Sequence, residues 1–282
     1  MSKGLRVTII TIVVIVIVVI GIIGYAVTGL AYAQTRVGNA DRTLNTVISH
    51  QNSLNATFKG IDASATTLTG ANFDPAKAHA LLDQFVANAN LAGTTIERDD
   101  ASLVSARAAL REQQWFTALA RTNLDKEAAR IDHARSALSS AKTIAADYAQ
   151  DAQFWQAFLD AFADGSTVAT QIANADLAGA KTTLTTMKTH ADKALQLSTA
   201  PGLPSELHAL MGDYESLIKD VGMLLDAVAA GNDATIVSAE NQIQVDANKV
   251  DSYDFAKIDT ETQLFYKPMV DTFNSEMAKA TA

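Results

Sequence analysis

Apolar residues are arranged in two ways along this chain. From Val7 to Val27 they form one uncharged run, mostly Val, Ile, Gly and Thr. About 20 apolar residues carry a helix across the hydrocarbon core of a bilayer, so residues 7–30 are expected to be a transmembrane helix that binds the lipid bilayer. Beyond Gln34 the apolar positions recur at steps of three, four or seven, which marks helices with one buried face. Leu44, Val47, Ile48, Leu54, Phe58, Ile61, Ala65 and Leu68 form one such face. Ala78, Leu81, Leu82, Phe85, Val86 and Ala89 form a second, expected to start at Asp74-Pro75 and to end near Gly93.

Residues 94–164 hold neither Gly nor Pro. Within them Leu103, Leu110, Thr117, Leu124, Ile131, Leu138, Ala145, Ala152 and Leu159 recur every seven residues. Their partners three residues on include Gln113, Glu127, Tyr148, Trp155 and Phe162, so the seam is clean only from Ile131 to Phe162. A single helix over Leu103–Phe162 would run about 90 Å at 1.5 Å per residue. A break at Arg121-Thr122-Asn123 would instead give two helices, because Thr122 or Asn123 can cap a new start. Gly165 predicts a weakening in the helix that follows. Turns are expected near residues 70–75, 174–176, 200–204 and 231–233, where Asn, Asp, Gly and Pro cluster. Three of these turns, around Asn72, Asn174 and Asn232, resemble the mid-repeat turn of tetratricopeptide-type hairpins over about ten residues, without that family's fixed period. A final helix is expected through Met269, Val270, Phe273 and Met277.

Charge orients the apolar run. Lys3 and Arg6 precede it, so the positive-inside rule keeps residues 1–6 in the cytoplasm and places residues 31–282 outside. Ala31-Tyr32-Ala33 fits a signal-peptidase site that would release a secreted protein starting at Gln34. The run is longer than the roughly 7–15 apolar residues of a signal peptide, which favours a retained signal-anchor. Lys3-Gly4 ahead of an apolar helix also resembles a prepilin processing site, but no glutamate stands at the fifth mature position.

The whole chain carries 22 Lys and Arg against 31 Asp and Glu, and residues 34–282 carry 20 against 31. Such a surface repels phosphate backbones, so no nucleic-acid partner is expected. With no cysteine, disulfides and thiolate chemistry are excluded. The five histidines, His50, His79, His133, His190 and His208, show no metal-binding spacing, and Asp132-His133 and His190-x-Asp192 read as surface neighbours. Asp251-Ser-Tyr-Asp254 and Asp259-x-Glu261 read as solvated acids, since they lack the Gly and terminal Glu of a calcium loop. Neither a nucleophile elbow nor a phosphate-binding loop occurs. Trp115, Phe116, Phe154, Trp155 and Phe158 could line a pocket between helices, though aromatics on a heptad seam more often form core.

These features predict an all-α protein: a single-pass transmembrane helix followed by an elongated antiparallel helical bundle with a long heptad-patterned helix. The expected role is non-enzymatic, a structural or protein-interaction module at the cell membrane, with no catalytic, cofactor or metal residues and with a protein partner or self-association. The alternative is an extracytoplasmic ligand-sensing bundle working through a partner, resembling in outline the extracytoplasmic domains of chemoreceptors. A closed, water-excluded cavity ending in polar groups would favour sensing, and a solid core with an exposed apolar stripe would favour contact.

Overall fold

The computed structural model describes residues 38–66, 75–112 and 121–282. Among them are seven helices and no strand: α1 (Ala40–Thr66), α2 (Pro75–Glu112), α3 (Arg121–Ala173), α4 (Leu177–Leu197), α5 (Ser205–Ala230), α6 (Asp233–Asp251) and α7 (Phe255–Thr281). None of the described helices is long and apolar enough to cross a membrane. The run Val7–Val27, the Ala31–Ala33 site, the turn at 70–74, and Trp115 and Phe116 lie outside the described residues.

The structure decides three readings of the helices, the first in favour of the break at Arg121. A continuous helix over Leu103–Phe162 would hold Glu97 and Lys142 about 67 Å apart, yet Lys142 Nζ lies 2.8 Å from Glu97 Oε1. Arg107 Nη2 donates to Asp132 Oδ2 at 2.6 Å and Arg135 Nε to Asp100 Oδ1 at 2.7 Å. The stretch is therefore an antiparallel pair, α2 against α3, with α3 starting at the Arg121 break. Second, α2 does not end near Gly93 but continues to Glu112. Third, α3 runs through Gly165 to Ala173 without interruption. A helical Gly costs only about 1 kcal/mol relative to Ala, which the burial of neighbouring side chains outweighs.

The turns at 174–176, 200–204 and 231–233 are where the local chemistry puts them. Ala175 takes a positive φ of 57°, and Asp176 caps α4 by accepting from Gly179 N at 2.9 Å. Gly231, at φ 65°, ends α5, and Asn232 caps α6 by accepting from Thr235 N at 3.2 Å. A further turn separates α6 from α7. There Asp254 Oδ1 accepts from Ala256 N and Lys257 N, so part of the acid cluster expected to be merely solvated is a helix cap.

The helices divide between two compact units, and the boundary falls inside α2, α3 and α7. The first unit comprises residues 38–66, 84–149 and 263–282. Its heptad positions Leu103, Ile131 and Leu138 are fully buried, with Leu44, Val47 and Ile48 of the expected α1 face. Tyr148 packs on Phe85 and Tyr266. Arg130 ties three helices together: Nε donates to Ala280 O at 2.9 Å, and Nη1 donates to Glu127 Oε2 at 2.8 Å and Asp41 Oδ1 at 3.3 Å. The second unit comprises residues 75–83 and 150–262. Phe154, Trp155 and Phe158 form its aromatic centre. Val168, Ala180 and Leu225 form a further buried cluster.

Candidate functional site

The second unit does not fill itself. Five of its helices leave an open cleft of about 910 Å³. Three ridges with helical spacing line it: Phe158, Phe162 and Gly165 on α3; Tyr214, Leu217 and Val221 on α5; Ile243, Ala247 and Val250 on α6. Met187 of α4 and Phe255 at the start of α7 complete the apolar wall. Phe162, Leu217, Val221, Ile243, Ala247 and Val250 are only half-buried, so apolar surface that a closed core would cover faces the cleft.

Gly165 lets α3 approach closely. A Cβ there would stand 3.1 Å from Met187 Cε and 3.3 Å from the Tyr214 hydroxyl oxygen. That hydroxyl donates to Ala161 O at 3.1 Å, and burial together with the charge of Asp164 holds its pKa far above the usual tyrosine value. It therefore stays protonated and engaged within the protein. The lining contains no Lys, Arg or His; its one charged residue is Asp251, exposed at the end of α6.

The cleft wall α6 rests on α5 through a polar seam. Apart from Ala239, its one fully buried residue is Asp246, which accepts from Lys249 Nζ at 3.0 Å and Gln242 Nε2 at 3.3 Å. Lys249, and then a hydrogen bond with Asp220 of α5, hold the Asp246 carboxyl below the usual range. Burial, and then Asp246, push the Asp220 carboxyl above the usual range. Tyr253 donates to Asp213 at 2.8 Å, and its pKa is pushed up to about 12 by burial and by that carboxylate.

The histidines bridge helices rather than gather. His50 Nδ1 lies 2.8 Å from Asp99, His133 Nδ1 2.7 Å from Glu276, and His190 Nδ1 2.8 Å from Asp164, each partner on another helix. His79 Nε2 lies 3.3 Å from Asp160 of α3. His133 and His190 thus join helices, where the sequence suggested surface neighbours of Asp132 and Asp192. His208 Nδ1 lies 2.8 Å from Ser198 Oγ, a spacing that invites comparison with a nucleophile and base. However, Ser198 Oγ donates to Leu195 O at 2.6 Å, so its proton is committed and the imidazole must donate. The arrangement closes the end of α4 and does not activate the serine. Among the described residues no group of three or more His, Asp or Glu could hold a metal ion.

Of the aromatics weighed as core or pocket, Phe154, Trp155 and Phe158 are all buried in the core, and Phe158 also reaches the cleft. Leu217, Val221, Ile243, Ala247 and Val250 were not singled out. Their spacing is that of core positions, and only the missing neighbour distinguishes them. Compared with known proteins, the chain matches no family model, no curated protein and no solved structure.

Proposed function

We propose that this protein is a non-enzymatic contact module held at the cell membrane. In this reading residues 7–30 span the bilayer, residues 1–6 stay in the cytoplasm and residues 31–282 lie outside. The uncharged run behind Lys3 and Arg6 supports the anchor and its orientation. The open apolar cleft of the second unit is the observation that carries the contact role. It is open rather than closed, and its buried hydroxyl is already engaged by Ala161 O, which favours contact over small-molecule sensing.

Two measurements test this reading. A photo-crosslinking amino acid at Val250, in the cleft, should give a discrete product in intact cells. The same group at Leu264, exposed in the first unit, should not. Equal products at both positions, or none at Val250, would contradict the contact role. N-terminal sequencing that finds Gln34 as the first residue would contradict the anchor.

A further inference from the structure

We propose that the cleft receives a basic amphipathic helix presented by a partner protein; this deepens the contact reading and rests on it. Shape supplies the first argument. Residues 158, 162 and 165 on α3, and 243, 247 and 250 on α6, each follow the i, i+4, i+7 spacing of a helix ridge. Residues 214, 217 and 221 on α5 lie between them in the lining with i, i+3, i+7 spacing. Three ridges around an open apolar volume leave the place that one more helix occupies in a bundle. Helix-in-groove recognition uses apolar anchors at this same spacing.

Charge supplies the second argument. Residues 75–83 and 150–262 carry seven Lys, no Arg and 18 Asp and Glu, whereas residues 38–66, 84–149 and 263–282 carry 12 basic and 12 acidic residues. All the excess acid among the described residues therefore belongs to the cleft's own unit, with Asp251 in the lining itself. Four of its seven lysines are already paired, with Asp226, Asp192, Asp246 and Glu206. A phospholipid phosphate would meet a negative field with no arginine to fork it, and a second copy of this unit would bring the same sign. A helix with lysine or arginine flanking its apolar face matches both the lining and the field.

The test uses the full-length protein in nanodiscs of zwitterionic lipid, with empty discs subtracted. Two fluorescent 18-residue peptides share one leucine stripe at helical spacing; one carries Lys on its polar face and the other Glu. Anisotropy should show the Lys peptide binding at least about tenfold more tightly, with the preference falling severalfold from 50 to 500 mM salt. Val250→Lys should weaken the Lys peptide about tenfold. Asp251→Lys, an exposed change that cannot unfold the domain, should weaken it severalfold. Equal binding of the two peptides, or binding indifferent to both substitutions, would overturn the proposal. So would binding of a neutral dye such as Nile red that Val250→Lys abolishes while neither peptide binds. If the Val250 crosslink forms but neither peptide binds, the helix proposal fails and the contact role stands. If the crosslink is also missing, both fail.

Discussion

Among the described residues all seven arginines belong to the first unit and none to the second. Three of them bind across helix seams, Arg107 to Asp132, Arg135 to Asp100, and Arg130 to Asp41 and a terminal carbonyl of α7. Acids and bases balance there, and the heptad leucines lie fully buried between the braced helices. In the second unit acids outnumber bases, Asp246 of α6 helps push the Asp220 carboxyl of α5 upward, and apolar residues stay half-buried along an open cleft. A forked guanidinium fixes two helices in one geometry, whereas a lysine holds them more loosely. The contrast teaches that, among the described residues, the same helical periodicity accompanies fully buried leucines with arginine pairs in one region and half-buried apolar residues with lysines alone in another.

Side-chain truncation should separate the units most sharply. Leu138→Ala removes a fully buried seam residue of the first unit and should cost about 2–5 kcal/mol in urea unfolding. Leu217→Ala removes a half-buried cleft residue and should cost under about 1 kcal/mol. Equal losses would mean that the cleft is as closed as the core. Next in size, Arg130→Ala strands Glu127, whose carboxyl burial already pushes upward against the pull of Arg130. A loss of about 3 kcal/mol is expected, since a buried charge is left without its partner. Retained stability would show that the arginine brace is incidental.

The comparison was only partly legible in the sequence. Turns with Asn, Asp, Gly or Pro could be placed because those residues satisfy local backbone groups, as Asp176 and Asn232 do. The Asp254 turn was read as solvated acid because no Gly or Pro announces it. Gly93 suggests a helix end and Gly165 a weakening, but helix propensity is weaker than packing. The two units could not be read at all, since their boundary falls inside continuous helices. One signal was available: no arginine follows Arg135. The cleft was hidden because Leu217 and Val250 follow the same period as core residues; period reports a face, and says nothing of what covers it.

Smaller effects sharpen the same contrast. Asp220 has a raised pKa, so the stability it contributes is fully present below the ordinary carboxylate value of about 3.9 and is lost as pH rises through its folded value. Lys219 and Lys249 act on it in the opposite direction, and Asp246 with it. Asp220→Asn keeps a donor toward Asp246 at every pH. Melting of the variant should exceed that of the parent by about 2 °C at pH 8, with the gap closing toward pH 4. A variant less stable at pH 8 would contradict the opposition of burial and Asp246 to a charged Asp220. Smallest are the glycines. A Cβ at Gly93 meets nothing within 4 Å, so Gly93→Ala should stabilise the first unit by about 0.5–1 kcal/mol. Gly165→Ala should show no such gain, because its Cβ would crowd Met187 and Tyr214.

Hydrogen exchange on the full-length protein, with and without the lysine-flanked leucine peptide, tests the receptive cleft most directly. Bound peptide should suppress the local opening of α6 and slow exchange of its amides from Ala239 to Val250. Amides of the first unit, such as those around Leu103 and Ile131, should exchange at unchanged rates. Protection spread over the first unit, or a bound peptide that leaves α6 exchange unaltered, would contradict the account.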